Sequence, residues 1–405
     1  MIVALSGYWV IQRLVNEPTK SLDPEAELLI ELEVGRDPSE ISAVLGKDIL
    51  AIRKAFTMFD IQSPLDRYFC LDVKNDASSL KIVKELLSRQ TVLVSHVENN
   101  EVLYYEKPVI SKITRISRSW TNDPGLTNQW YLEYLGAENF HRELLTLKPV
   151  KTSLLAILDT GIESKHEDLI SNYQSSGSEN DNDPIGHGTH CAGIAGAITG
   201  NGKGIASLIP PQNNSVKLTG FKVLKYNGSG TQKDIIDGII KATDMGADVI
   251  SLSLGGPSDD LKQRAYELAV EYAAKRNAII VVAAGNNNSD ARNYSPANVK
   301  GLIVVTAIDQ QGQLASFSNH VAHLAMGVAA PGVGIYSTIP NNKYTSYNGT
   351  SMATPLVASV IATIKSLNPS ISTAQVHAHL AKGIRTGSGS KTGVILKLDH
   401  VLSGL

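Results

Sequence analysis

The chain has 405 residues, 42% hydrophobic and 19% charged, with a formal net charge of −2, the balance of a soluble globular protein with room for more than one domain. Acidic and basic residues nearly cancel on either side of residue 120, which argues against nucleic acid or an anionic membrane as partner. Two cysteines, Cys70 and Cys191, set no disulfide framework, and no apolar run approaches the roughly 20 residues of a membrane-spanning helix.

Met1 to Ile11 is apolar but has no basic residue before Arg13 and no small-residue cleavage site, so residues 1–20 read as a weak or truncated export signal. From Glu27 to Tyr105 the pattern is that of a small α+β domain, residues 21–105. Leu28–Val34 is extended, and Pro38–Phe56 has helical spacing through Ile41, Val44, Leu45, Ile49 and Ile52. Tyr68–Val73 is extended again, Ala77–Ser88 helical, and Val92–Tyr105 a hairpin turning at Asn99-Asn100. Residues 106–121 lack sustained periodicity and predict a linker open to proteolysis.

The remainder, residues 122–405, changes character beyond Leu145. Leu154–Leu158, Val216–Leu224, Asp248–Leu254, Ala278–Ala284 and Leu302–Ala307 are apolar on both faces. Helical stretches at His190–Ile198, Lys233–Met245, Leu261–Arg276 and Ser351–Leu367 alternate with them. The alternation predicts an α/β, doubly wound, mostly parallel sheet with helices on both faces. Ligands of such sheets bind at the carboxyl ends of the strands.

Four residues stand at those ends. In Gly349-Thr350-Ser351-Met352-Ala353-Thr354-Pro355, Ser351 opens an apolar helix with Pro355 in its first turn. It is either a cap or a nucleophile whose own N–H faces developing negative charge. Asp159 closes the strand Leu154–Leu158, as a turn former or as a functional carboxylate. His187 lies between Gly186 and Gly188, which admit a close substrate backbone; it reads as a structural histidine, a base, or a metal ligand with His190, Cys191 or His166. That metal set lacks the spacing of a zinc site. Asn286 follows Gly285 after the strand Ala278–Ala284, as a turn residue or an amide donor. Jointly the four supply what serine catalysis requires: a weak nucleophile, a histidine to take its proton, an acid to orient the imidazole, and a donor for the oxyanion.

The segments carrying these residues, Ile157–Gly161, Gly186–Gly193, Ser251–Gly256, Val281–Asn286 and Gly349–Pro355, resemble in family order the motifs of subtilisin-like serine proteases, the subtilases, over residues 120–405. Within the family the likeness is nearest to the proteinase K group, through His187–Gly193, Asn227–Gly230 and Ala284–Ala297. The resemblance implies a subtilisin-like fold and a serine endopeptidase of broad specificity that needs no cofactor for catalysis. It implies that Gly228, Ser229 and Gly230, with Ser253, Leu254, Gly255 and Gly256, sandwich the substrate peptide as an added strand. Ala283, Ala284 and Gly285 would wall the primary pocket, with Tyr294 near its base, favouring an apolar or aromatic residue before the scissile bond. Cys191 would be a free, mercurial-sensitive thiol beneath His187.

The same resemblance suggests a structural calcium ion held by Asp123, Asp168 and Asn201. It offers no acid for a second site, since no Asp or Glu lies between Asp309 and Pro331. Residues 21–105 resemble the ferredoxin-like inhibitory pro-domains of secreted subtilases, which makes the chain an autoprocessed zymogen cleaved within residues 105–121. Its partners are then protein or peptide substrates and its own pro-domain, with no nucleic acid and no membrane, and the protein is a secreted or periplasmic monomer. Two rival readings lack their marks. A catalytically silent subtilase would miss a triad member, and an α/β-hydrolase would need Gly-x-Ser-x-Gly and the order Ser, Asp, His.

Overall fold

The computed structural model describes residues 27–46, 49–59, 62–73, 77–105, 107–111, 120–211, 215–258, 263–382 and 391–405. The export-signal segment and most of the linker lie outside the described residues. The chain divides into two compact units, one comprising residues up to Ala55 with Arg67–Val102, the other Phe56–Asp66 with Leu103–Leu405.

In the first unit, β1 (Leu28–Leu32), α1 (Ser39–Leu45), β2 (Ile49–Lys54), β3 (Tyr68–Val73), α2 (Ala77–Ser88) and β4 (Val94–Asn99) form a four-stranded sheet in the order β2-β3-β1-β4. All its pairings are antiparallel, which is the split βαβ, ferredoxin-like arrangement. Central β1 is buried along its whole length. Leu28, Ile30 and Leu32 meet Leu71, Val73, Ile41, Leu45, Val83 and Leu87 in one core.

Two expectations fail here. The helix predicted over Pro38–Phe56 stops at Leu45, because Gly46 takes φ +55° and Ile49–Lys54 instead pairs with β3, Ile52 facing Leu71. The apolar spacing of Ile49 and Ile52 fits either period, and strand pairing decides it. The hairpin predicted over Val92–Tyr105 is not one either: β4 pairs with β1, and the strand after it pairs elsewhere.

The second unit contains β5 (Val102–Tyr104), β6 (Val109–Ile110), α3 (Trp130–Leu135), α4 (Ala137–Leu144), β7 (Ser153–Asp159), α5 (His187–Gly196), β8 (Val216–Lys222), β9 (Ser229–Thr231), α6 (Gln232–Asp244) and β10 (Val249–Leu252). After these come β11 (Gly256–Pro257), α7 (Arg264–Lys275), β12 (Ile279–Ala283), β13 (Tyr294–Ser295), β14 (Ile303–Ile308), β15 (Gly327–Pro331), β16 (Ile335–Ile339), β17 (Lys343–Asn348), α8 (Thr350–Leu367), α9 (Thr373–Leu380) and β18 (Val394–Ile395). Seven strands form one sheet in the order β18-β15-β14-β12-β10-β7-β8, and every pairing described in it is parallel.

Alternation along the strands sorts the two faces. Leu155, Ile157, Val249, Val281 and Val305 point into the core shared with α5 and α8. Leu158, of opposite parity, lies 3.1 Å from the position a Cβ would take on Gly238 of α6, so α6 covers the other face. The sequence expectation of five core strands missed β15, whose glycine, alanines and proline weaken the apolar signal, and β18, which is only two residues long.

Helix α8 is long and apolar enough to span a membrane by composition alone, but 94% of it is buried in this unit. Pro355 stands sixth in it, not in its first turn as expected. Its missing N–H leaves the carbonyl of Ser351, four residues back, without the usual helical partner. Side chains outside the helix supply the replacement: Ser253 Oγ donates to that oxygen at 2.9 Å, and Cys191 Sγ lies 3.5 Å from it.

Candidate active site

From β7 the chain adds β8 on one side and, later, β10 on the other. The reversal opens a crevice at the carboxyl ends of β7 and β10, the position where open parallel sheets bind ligands. Asp159 ends β7, Ser253 follows β10, Asn286 follows β12, and Ser351 is second in α8. His187 is the first residue of α5, three positions ahead of the start expected from apolar spacing, because glycines and a histidine hide the first turn from a hydropathy reading.

His187 Nδ1 is 2.8 and 2.9 Å from the two carboxylate oxygens of Asp159, and both side chains are buried. A carboxylate can only accept, so Nδ1 carries the proton and Nε2 is left as the basic atom. Nε2 is enclosed and makes no hydrogen bond among the described residues. Ser351 Oγ donates instead to the carbonyl of Ser253 at 3.1 Å, and no hydrogen bond between this hydroxyl and the imidazole is described. The ring of Tyr105 lies over His187, centroids 4.6 Å apart, and covers the face of the imidazole.

The metal alternative for this cluster does not hold together. Ligand atoms of Asp159, His187 and Cys191 lie within 4.8 Å of one another, but Nδ1 is already committed to Asp159. His190 and His166 bond through Nε2 to the carbonyls of Thr345 and Lys343. Burial pushes the His190 imidazole down to about 3 and the Cys191 thiol well above its ordinary value. Cys191 is therefore a neutral packing group, and both cysteines are buried.

Asn286 is held by its oxygen. Oδ1 accepts from Thr350 N–H at 2.8 Å and from Thr350 Oγ at 2.9 Å, which fixes the orientation of the amide and makes Nδ2 the donor it can offer. Gly285, at φ +98°, donates its N–H to Thr350 Oγ at 3.2 Å. Leu254, Gly255, Ala283, Ala284, Gly285 and Tyr294 line the adjacent pocket together with Asn286 and Ser351. Gly256 pairs with Ser295 in the β11–β13 ladder beside it.

The groove beside the pocket is filled by the chain itself. Tyr104 exchanges backbone hydrogen bonds with Gly255 at 3.2 and 3.0 Å, and Tyr105 N–H donates to the carbonyl of Gly228 at 3.2 Å. β5 pairs with β9, which contains Ser229 and Gly230. A Cβ on Gly228, whose φ is +81°, would stand 2.2 Å from Cε1 of Tyr105. Farther along, β6 pairs with β17, Val109 opposite Asn348 and Ile110 opposite Tyr347.

Asp123, Asp168 and Asn201 are brought together. Asn201 donates its N–H to Asp123 Oδ1 at 3.1 Å and its Nδ2 to Asp168 Oδ1 at 2.8 Å. Both acids are buried, and burial first, then the nearby Asp123 charge, raises the Asp168 carboxyl to about 6. Two buried carboxylates and an amide, brought together from three segments of the chain, fit a hard, oxygen-seeking cation such as calcium in kind.

Sequence reasoning missed two residues. Asp183, buried, accepts from Thr160 Oγ, from Gly186 N–H and from Thr189 N–H and Oγ. Thr160 Oγ in turn accepts from Gly188 N–H at 3.0 Å, so one carboxylate ties the residue after Asp159 to the turn that carries His187. Asn319 binds the loop around Asn286. Neither announces itself, because each acts largely through bonds to backbone groups distant in sequence or set by a turn.

A carboxylate-held histidine beside a helix-start serine, at the switch point of a parallel sheet, is the site of a serine hydrolase. Residues 151–394 match the profile described as the subtilase family, and the chain belongs to that family; it is a serine endopeptidase of the subtilisin type. It is 38% identical over 283 residues to the thermophilic serine proteinase of Bacillus sp. (strain AK1), covering 68% of this chain and 66%, just under two thirds, of that relative. It is 43% identical over 223 residues to thermitase of Thermoactinomyces vulgaris, 54% of this chain and 76% of the relative. With subtilisin Savinase of Lederbergia lenta it shares 39% over 264 residues, 64% of this chain and 92% of the relative. Among solved structures, a protease of Pseudoalteromonas arctica PAMC 21717 superposes with a TM-score of 0.61 at 27% identity, over 70% of this chain and 99% of that one.

Proposed function

We propose that the protein is a secreted endopeptidase made as a self-inhibited, self-processing precursor. In this reading Ser351 Oγ turns from the Ser253 carbonyl to attack the peptide carbonyl, and His187 Nε2 takes its proton and later gives it to the leaving amine. Asp159 holds the imidazole in the Nδ1–H tautomer, and Asn286 Nδ2 with the Ser351 N–H receives the oxyanion. The observation that carries the reading is the segment Leu103–Tyr105, laid between Gly228 and Gly255 as an added strand with the Tyr105 ring against His187. Backbone pairing of this kind recognises any extended peptide, which supports broad specificity.

Since Tyr105 is held at Gly228 and Val109 at Asn348, we place self-cleavage among the bonds joining them. The ferredoxin-like unit that precedes this segment is then the inhibitor. A precursor blocked in this way supports export before activation. The proteinase K likeness of the Asn286 loop and of Cys191 belongs to this same reading.

The test is to express the full chain and its Ser351→Ala form. The wild type is expected to mature, with a new amino-terminus between residues 106 and 109 on sequencing, and to digest casein; the alanine form is expected to do neither. An alanine form that matures and digests casein overturns the mechanism. Asp123, Asp168 and Asn201 would hold a calcium ion that ties residue 123 to the loop of residues 200–205. Chelation is expected to lower the thermal midpoint of the wild type by several degrees and that of Asp168→Asn hardly at all, read by scanning calorimetry with and without added calcium.

A further inference from the structure

The loop that carries Asn286 has almost no secondary structure of its own, being the irregular stretch between β12 and β13. Its shape comes from another part of the chain. Asn319, completely buried, donates Nδ2 to the carbonyl of Ala284 at 2.8 Å. Its Oδ1 accepts from the N–H groups of Asn287 at 3.0 Å and Ser289 at 2.9 Å, and its own N–H donates to the carbonyl of Gly285 at 2.8 Å. These bonds reach backbone groups on both sides of Asn286. The carbonyl of Asn319 is in turn held by Ser318 Oγ, which also accepts from Ala307 N–H on β14. The clamp is therefore anchored to a strand of the central sheet. Gly285 is required beneath it, because a Cβ there would lie 2.4 Å from Nδ2 of Asn319.

We infer that Asn319 is a positioning residue for the oxyanion donor: its amide sets the backbone from which Asn286 presents Nδ2. The inference rests on the role proposed above for Asn286. A primary amide is the one side chain of this size that offers a donor and an acceptor side by side, as the Ala284 carbonyl and the Asn287 and Ser289 N–H groups require. An oxyanion donor works because it is placed before charge develops, so a donor that must find its position during the reaction loses part of its effect. Thr350 fixes the tip of Asn286 and Asn319 fixes its base. With one of the two released, the amide still binds substrate but meets the tetrahedral oxygen less well.

The test is a double-mutant cycle in the full chain, left to mature as the wild type does, with active sites counted by a fluorophosphonate. Asn319→Ala is expected to lower kcat per active site about 10-fold or more with KM within about twofold. Removing an oxyanion donor outright costs about 10²–10³ in kcat, a figure known for the asparagine of subtilisin itself. In an Asn286→Ala background Asn319→Ala is expected to change kcat by less than about twofold, while it lowers the thermal midpoint equally in both backgrounds. Asn319→Asp, which keeps the acceptor and loses the donor, serves if the alanine form does not accumulate, and is expected to show the same kcat loss and the same coupling. Unchanged kcat per active site, or equal losses with and without Asn286, overturns the inference. Undiminished kcat in Asn286→Ala alone would overturn the role proposed for Asn286, and the inference with it, whereas kcat lost in Asn286→Ala but unchanged in Asn319→Ala overturns the inference alone.

Discussion

Asp183 receives five hydrogen bonds on two carboxylate oxygens, from Thr160, Ile185, Gly186 and, twice, Thr189. Burying a carboxylate is costly unless its lone pairs are met, and here they are met by the first turn of the helix that carries His187. Asp183→Ala leaves several buried donors unsatisfied and is expected to lower the unfolding free energy by about 3–5 kcal/mol, read by urea titration. Asp183→Asn, which keeps one acceptor oxygen, is expected to lose less. Residues of this kind mark the limit of reading from sequence. Asp159, His187, Asn286 and Ser351 were legible because each follows a strand or opens a helix and has glycine or a small residue beside it. Asp183 and Asn319 carry no such mark, since their partners, mostly backbone groups, take their positions only after folding.

At the scale of the element, α8 was legible as a buried apolar helix, and its irregularity was not. Pro355 in the second turn frees the Ser351 carbonyl, and Ser253, at the end of the neighbouring strand β10, fills the vacancy. Ser253→Ala is expected to cost about 1–2 kcal/mol by leaving that oxygen short of a partner. In a Pro355→Ala background, where residue 355 again has an N–H to donate, the cost is expected to fall to a few tenths; equal costs in the two backgrounds, measured by thermal unfolding, would show that proline does not set the arrangement. The strands were legible where β-branched and aliphatic residues run together, as in β7, β12 and β14. They were hidden where Gly327–Pro331 forms β15, whose small side chains fit beneath α8 rather than advertise a strand. The misreading of β2 has the same root: a run whose apolar residues suit either period takes the form its neighbour imposes.

Over the whole molecule, buried groups that cannot ionise easily set how stability responds to pH. Burial pushes His141 down to about 4, and it bonds through Nε2 to the carbonyl of Ser207. An unfolded histidine titrates near 6.5, so between about pH 6.5 and 4 the unfolded chain binds more protons and stability falls as pH falls. Lys365, fully enclosed at the end of α8 and bonded to the carbonyls of Asn277 and Pro369, is lowered by burial to about 8. Between about pH 8 and 10.5 it is the unfolded state that holds the extra proton, and stability rises with pH. The His141 contribution to the urea midpoint is therefore expected to climb from about pH 4 to 6.5 and the Lys365 contribution from about pH 8 to 10.5. The raised Asp168 carboxyl and Cys191 thiol work the other way, below about pH 6 and above about pH 9. Lys365→Met is expected to remove the second rise, worth at most about 3 kcal/mol.

The docked strand Leu103–Tyr105 has a consequence of another kind. A groove that recognises peptides through their backbone, the role proposed above for this one, cannot distinguish a foreign chain from an opened copy of its own. Each molecule that unfolds in a population of active ones becomes food for the rest, and refolding competes with digestion. The lifetime of such a population is then governed by how rarely a molecule opens, not by how favourable the folded state is at equilibrium.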